Sequence, residues 1–375
     1  MLFRSNVRRA PEWVAARIRE IPGVAVVETR VVANVTLDVP GLAEPAAGRL
    51  VSIPERGAPL LNALHLLRGR YPEPERRDEV VLSAAFAEKN GFEPGGELSA
   101  ILNGRWTQLR IAGIALSPEY VYEIRPGDMF PDSRRFGVMW MNRKPMSAAL
   151  DSESAFNNAT FLLAPDVDQK QVLSAIDSVL EPYGGAGAYA RAEQASHAFM
   201  DSEFRQLATM AGVIPQVFLV VASFLVYSVI ARQIETQREE IGLLKAFGYA
   251  DATIAMHFVK MALVTAVLGL VAGCIAGIWL AQLILDLYRQ YFRFPSLELV
   301  ISLDVIGFAA LVSVAAASGG ALVAVVGVMR LSPAVAMAPA APARYRPGTM
   351  ERLGLLRGIG SIGFMIVRQI GRAHV

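Results

Sequence analysis

Apolar positions are spread unevenly along this chain. Three stretches, Thr209–Ala231, Met261–Leu285 and Val305–Met329, contain no Asp, Glu, Lys or Arg. A helix rises about 1.5 Å per residue, so each would be roughly 35 Å long, enough to cross a hydrocarbon core of about 30 Å. Soluble core helices rarely stay uncharged all round for that length. The pattern predicts three transmembrane helices at 209–231, 261–285 and 305–329.

Before residue 209 the pattern is that of a folded domain. Pro11 suits a first helical position, and Val14, Ile18 and Ile21 recur at helical spacing until Pro22-Gly23 closes the run. Val24–Val32, Asn34–Val39 and Asp78–Ser83 read as strands, and Ala84–Asn90 as a short helix capped by Gly91. Leu98–Leu102 and Thr107–Leu116 flank Asn103-Gly104, a hairpin signal. Phe136–Met141 and Ala159–Ala164 are further strands, Asp168–Leu180 is a helix, and Tyr183–Gly187 is a glycine-rich loop. Residues 1–208 are therefore expected to form one α+β domain, with helical character returning from about Arg191 and running towards the first span.

Composition agrees with a chain partly in lipid. Of 375 residues, 53% are hydrophobic and 19% charged, against about 25% charged in ordinary soluble domains. The single cysteine, Cys274, excludes a disulfide framework, a cysteine-based zinc cluster and a CxxC redox pair. A net charge of +2 gives no global reason to expect nucleic acid.

The placement of charge orients the spans. Segment 232–260 carries Arg232, Arg238, Lys245 and Lys260. The tail after residue 329 carries Arg330, Arg344, Arg346, Arg352, Arg357, Arg368 and Arg372 against the single acid Glu351. Connection 286–304 has only Arg289 and Arg293. The positive-inside rule places 232–260 and the basic linker 330–375 in the cytoplasm, with 286–304 and 1–208 outside. Yet Met1–Arg9 is basic and lacks the apolar core of a signal peptide. The expectation is that a transmembrane helix precedes Met1 in a longer permease-like protein. The apolar run Ile362–Ile370 similarly resembles an approach to a further span.

Candidate chemistry is sparse. His65 and His197 lie far apart, with neither a serine elbow nor an HExxH pattern near them. Glu119, Glu123, Asp128 and Asp132 could pass for catalytic carboxylates, but Pro118, Pro126, Gly127 and Pro131 surround them, so a solvated loop is the expected reading. Tyr120, Tyr122 and Phe130 make that loop a candidate partner or substrate surface. No GxxxxGK[ST] occurs, so any ATP would be bound by another chain. No catalytic residue and no metal site is assigned.

Three membrane-associated features remain. Gly269, Gly273 and Gly277 form a small-residue stripe on the second span, expected to pack among the three spans, with a dimer seam as the alternative. Pro215 near the outer end of the first span could kink it. Tyr288, Tyr291, Phe292, Phe294 and Pro295 lie in the short outer loop, where aromatics are expected to anchor helices in the headgroup zone.

Residues 232–260 are the most informative. A polar run, Glu235 to Glu240, precedes Ile241-Gly242-Leu243-Leu244-Lys245-Ala246-Phe247, in which Leu243 and Phe247 form an i, i+4 pair, and Gly248 would stop the helix. Such a helix can be a connector on lipid headgroups or a docking knob for a cytoplasmic partner, and physics alone leaves both open.

The stretch Thr236-Gln237-Arg238-Glu239-Glu240-Ile241-Gly242-Leu243-Leu244-Lys245-Ala246-Phe247-Gly248-Tyr249 resembles the R-x-x-E-I-G-x-L-[KR]-A-x-G signature of the FtsX-like permeases of ABC transporters, the group that includes the MacB and LolC/LolE types. Leu331–Met337 resembles the family's P-A-x-A-L close. The resemblance implies a MacB-like periplasmic domain followed by three transmembrane helices in the bacterial inner membrane. It implies a coupling helix at about Gln237–Phe247 that meets a separate ATPase through Gln237, Arg238, Glu239, Glu240, Ile241, Leu244 and Lys245. It also implies a second permease half or copy, an extracytoplasmic adaptor or substrate protein, and no cofactor in this chain, ATP being bound by the partner subunit. The implied function is transmission of ATP-driven motion to the outer domain for export or extraction of a lipid, lipoprotein, peptide or drug. The alternative is a non-transporting sensor that regulates an extracytoplasmic hydrolase or signalling partner.

Overall fold

The computed structural model describes residues 2–329. The 330–375 linker, the Leu331–Met337 close and the Ile362–Ile370 run lie outside the described residues. Two compact units divide the chain: Met1–Gln216 with Ala272–Val305, and Val217–Val271 with the residues from Ile306.

The first unit contains two sheets. Strands β1 (Leu2–Pro11), β2 (Val24–Arg30), β10 (Ala155–Leu163) and β11 (Ala188–Ala190) form an antiparallel sheet in the order β11-β1-β10-β2. Helices α1 (Val14–Arg19) and α4 (Gln169–Leu180) cover it, burying Ile18, Ile176 and Leu180 against Phe3, Phe156 and Phe161. Asp168 caps α4 by accepting from the Lys170 and Gln171 amides, which satisfies two otherwise orphaned donors.

The second sheet is mixed. It comprises β3 (Val32–Asp38), β4 (Ala46–Ile53), β5 (His65–Gly69), β6 (Glu79–Ser83), β7 (Glu97–Leu102), β8 (Arg105–Leu116) and β9 (Phe136–Asn142), in the order β5-β8-β6-β9-β4-β3-β7. An additional β7–β8 pairing closes six of these strands into a ring, leaving β5 as an edge strand paired with β8 alone. Its interior is filled by Leu37, Leu50, Leu82, Leu109 and Met139, plugged by Phe86 from α2 (Ala84–Asn90). Gly137 on β9 is required there, since a Cβ would come within 2.5 Å of the Phe86 ring. A further short helix, α3 (Arg143–Ala149), follows β9.

Two expectations change here. Pro11 ends β1, where it pairs with Ala155, and α1 begins only at Val14. The basic N-terminus is thus a sheet strand, with Phe3, Arg4, Ser5, Val7 and Ala10 buried and Arg8 and Arg9 exposed.

The long helices are α5 (Ala195–Thr236), α7 (Asp251–Tyr291) and α8 (Leu303–Met329), with the short α6 (Arg238–Ala246) between the first two. All three long helices are long and apolar enough to cross a membrane. At 42 and 41 residues, α5 and α7 extend well beyond their uncharged cores and beyond what a bilayer needs. Pro215 lies inside α5.

In the second unit, Ile230 and Ile234 of α5, Phe258 and Ala262 of α7, and Ala321, Ala324 and Val325 of α8 pack around Ile241 of α6. The close approach of α5 and α8 is made at Gly320, where a Cβ would stand 2.5 Å from the Ser223 carbonyl oxygen. The Ser223 hydroxyl donates to the Ala316 carbonyl at 3.0 Å. A Cβ built on Gly269, Gly273 or Gly277 of α7 meets nothing within 4 Å among the described residues. Small residues allow close helix approach only where a partner helix is present.

Candidate functional site

Two places in the molecule concentrate unusual chemistry. The first is α6. Gln237 precedes it with φ −93° and ψ 16°, breaking the run of helix from α5, and its carbonyl accepts from the Ile241 amide at 3.0 Å. Glu239 and Glu240 occupy the first turn, where acidic charge suits the positive end of the helix dipole. At the other end the Tyr249 amide returns to the Leu244 carbonyl and Gly248 takes φ +88°, which stops the helix where its sequence position suggested.

The seven residues proposed for docking divide by direction. Ile241 points inward at 4% exposure and anchors α6 to the helix cluster. The Lys245 side chain is buried and pairs with Asp251 at 2.9 Å, tying α6 to the start of α7. Gln237 and Arg238 are half-buried, while Glu239, Glu240 and Leu244 are exposed. Leu243 and Phe247 join them, the latter 74% exposed. Their i, i+4 spacing was the sequence signal for this outward apolar pair.

The second place lies between the two sheets of the N-terminal domain. Glu119, in the segment after β8, is buried and takes Arg30 Nη1 at 2.7 Å together with Arg4. Arg30 also donates through Nη2 and Nε to Asn158 Oδ1 at 2.7 and 3.1 Å, and Asn158 donates to Asn6 Oδ1 at 2.7 Å. Burial alone would raise the Glu119 carboxyl, but the Arg30 and Arg4 charges outweigh it and hold the group at about 2. Burial likewise opposes the Arg30 charge, and Glu119 more than restores it. A neighbouring junction is built by Arg143, whose Nη2 donates to Glu12 Oε2 at 2.5 Å and whose Nη1 donates to the Thr29 carbonyl at 2.6 Å.

Glu123 lies four residues on and behaves oppositely. It accepts from the Ser83 hydroxyl at 2.7 Å, yet burial dominates and pushes its carboxyl up to about 7, against that bond and the Arg293 charge. Arg293 pairs with Glu88 at 2.7 Å, and its amide donates to the Val121 carbonyl at 2.9 Å. The expected solvated loop is therefore corrected for its first half: Glu119 and Glu123 are 6% and 5% exposed, whereas Asp128, Asp132 and Phe130 are on the surface. Local composition identified a loop correctly but carried no sign of arginines more than eighty residues away.

The aromatics at the end of α7 and just beyond it are corrected too. Phe292 is buried among Tyr122, Phe199, Tyr288 and Phe294, so most of this group packs on protein rather than anchoring in headgroups. Tyr291 remains half-exposed. Among the described residues no cluster of three or more His, Cys, Asp or Glu is placed to hold a metal ion.

Comparison with known proteins gives the following. Residues 212–333 match the family model described as FtsX-like permease C-terminal. The extracellular domain of the noncanonic ABC-type transporter YknZ from Gram-positive bacteria aligns at 13% identity over 48% of this chain and 94% of that one, with a TM-score of 0.35. The periplasmic region of MacB from Actinobacillus actinomycetemcomitans aligns at 14% identity over 51% and 88%, with a TM-score of 0.34. A domain of a permease protein from Porphyromonas gingivalis aligns at 14% identity over 48% and 82%, with a TM-score of 0.31. No curated protein sequence matches the chain.

Proposed function

We propose that this multi-pass membrane protein, whose residues 212–333 match the FtsX-like permease C-terminal family model, is the permease subunit of a bacterial ABC transporter, driven by a separate ATPase that docks on α6. The observation that carries the reading is the division of α6 into an inward anchor, Ile241 with Lys245, and an outward face of Glu240, Leu243, Leu244 and Phe247. A connector lying on anionic headgroups favours Lys and Arg beside its apolar face, whereas the exposed charges here are Glu239 and Glu240 and Lys245 is turned onto Asp251. A protein dock needs apolar residues rimmed by charge on a rigid support, which is the arrangement here.

In this reading α6 and the linker 330–375 face the cytoplasm, and residues 1–208 lie outside. ATP binding and hydrolysis in the partner displace α6. The packing of Ile241 against Ile234, Phe258 and Val325 passes that displacement to all three long helices. The N-terminal domain receives it through the root of α5 and acts on a lipid, lipoprotein, peptide or drug. The chain's own residues supply positioning and mechanical linkage, while ATP chemistry belongs to the partner.

The test is co-purification of the full chain with an ABC ATPase from its own cells, followed by ATPase assay. Leu244→Asp and Phe247→Asp are expected to abolish association, while thermal stability in detergent stays at the wild-type value because both side chains are exposed. Undiminished association and stimulation in both variants would sink the docking assignment.

A further inference from the structure

Met129 and Phe130, in the loop between β8 and β9, are 82% and 77% exposed. Two hydrogen-bonded turns bracket them. The Asp128 amide donates to the Arg125 carbonyl at 3.1 Å across Pro126 and Gly127, and Gly127 takes φ +98°, the residue order and positive φ of a type II turn. On the other side Asp132 Oδ1 accepts from the Arg134 and Arg135 amides at 3.0 and 3.2 Å, and the Asp132 carbonyl accepts from the Phe136 amide at 2.9 Å. The apolar pair is thus held out in water by a shaped loop tip, so contact with a partner loses little further chain entropy. Loop tips ordinarily carry polar residues, and an adjacent Met-Phe pair there calls for an apolar partner.

The neighbours of the loop say what that partner is. Ile124 packs on the cluster around Phe292, and Pro131 to Arg134 share a small cavity with Gln290, Tyr291 and Arg293 at the end of α7. The uncharged run of α7 ends at Leu285, with Asp286 next. Tyr288 donates to Glu203 of α5 at 3.3 Å, which brings Asp286 and Arg205, the charges flanking the two apolar runs, to one level. Tyr291 stands six residues beyond Leu285, about 9 Å at 1.5 Å per residue. Headgroups occupy roughly 5–8 Å on each side of a hydrocarbon core. The loop therefore lies at the bilayer surface, where apolar and aromatic side chains gain by leaving water.

We propose that the Met129–Phe130 tip inserts into the headgroup layer of the leaflet nearest the N-terminal domain, so that the partner of this loop is a phospholipid surface. The contact fixes the height of the domain above the bilayer beside the end of α7. The charges of the loop balance, Arg125 and Arg134 against Asp128 and Asp132, while Arg135 is paired with Glu44 at 3.3 Å. The apolar pair therefore drives the contact, and anionic lipid is not required. The proposal rests on α5 and α7 crossing a bilayer and stands whether or not α6 docks an ATPase.

The experiment places nitroxide labels on the full chain in a Cys274→Ser background, reconstituted into vesicles of phosphatidylcholine alone or mixed with phosphatidylglycerol. Labels go at Phe130→Cys, at Trp106→Cys and at Ile275→Cys, three exposed positions. Trp106 lies ten residues up β8 from Leu116, which lines a cavity with Phe294 and Pro295, so it stands roughly 33 Å along the strand from the bilayer end of the domain. Ile275 lies within the apolar run of α7 and reports the lipid interior. Electron paramagnetic resonance power saturation compares collisions with oxygen, which concentrates in lipid, and with a nickel chelate, which stays in water. The oxygen-to-nickel ratio is expected to be severalfold higher at residue 130 than at residue 106, and equal in the two lipid compositions. A ratio at 130 matching that at 106, or one that rises only with phosphatidylglycerol, would overturn the proposal. So would low accessibility to both reagents, which would mean that a second copy of the chain covers the tip. A water-like ratio at 275 would overturn the span of α7 and the proposal with it.

Discussion

Tyr122 and Phe199 lie face to face, their ring centroids 4.0 Å apart and their planes 5° from parallel. Tyr122 comes from the segment after β8 and Phe199 from the second turn of α5, and Phe292 adds a third ring 5.5 Å from Tyr122. The Tyr122 amide also donates to the Ser196 hydroxyl at 3.0 Å. The domain therefore holds the start of α5 by a stack and a hydrogen bond rather than by chain continuity alone. Aromatic pairs add about 0.5–1.5 kcal/mol beyond their buried area. Phe199→Ala is expected to speed hydrogen exchange across Ala195–Met200 while leaving exchange in the closed sheet unchanged. Unaltered exchange at the start of α5 would show that the stack does not secure it.

The two buried glutamates oppose one another in pH. Glu123 titrates near 7 when folded and near its ordinary 4.5 when unfolded. Between those values the folded state keeps a proton that the unfolded chain has lost, so this group makes stability fall as pH rises from about 4.5 to about 7. Glu119 is held at about 2, so its stabilisation is present above about 4.5 and is lost as pH falls towards 2. The N-terminal domain should be most stable near pH 5. Glu123→Gln should remove most of the fall between about pH 4.5 and about pH 7, an effect of roughly 3 kcal/mol from the size of the shift. Denaturant melts at several pH values measure this, and parallel profiles for wild type and variant would refute it.

Glycines on α7 and α8 should respond differently to the same substitution. Gly320→Val drives a side chain into the Ser223 carbonyl, with a cost of about 1–3 kcal/mol or more from overpacking, and should loosen the helix cluster around Ile241. Gly273→Val meets nothing within 4 Å among the described residues and should leave the thermal stability in detergent nearly unchanged. Limited proteolysis distinguishes the two, and equal sensitivity would contradict the packing described.

Much of the architecture could be read from local pattern. The uncharged runs located the three long helices, Gly248 located the end of α6, and alternation located most strands of the N-terminal domain. What escaped depended on partners distant in sequence. The strand Leu2–Pro11 was hidden because Arg4 looks like a surface residue until Glu119 is known to face it. Glu119 and Glu123 looked solvated because their neighbours are prolines and glycines, and only the sheet-to-sheet junction buries them. The β7–β8 pairing was legible as the hairpin at Asn103-Gly104, but the β3–β7 pairing that joins it to the rest of the ring has no local signature. The glycine stripe of α7 has the right spacing for helix contact, but spacing does not say which helix is present to be contacted. On α6 the sequence placed the short helix itself, while only the fold separates Ile241 and Lys245, which hold it, from Leu244 and Glu240, which face outward.

The central claim is that the outward face of α6 meets an ATPase, and site-specific photocrosslinking in cells tests it most directly. A crosslinking amino acid at Leu244 is expected to capture an ABC ATPase identifiable by mass, and one at Phe130 in the N-terminal domain is expected not to. Capture of the ATPase from Phe130, or capture of everything except an ATPase from Leu244, would contradict the account.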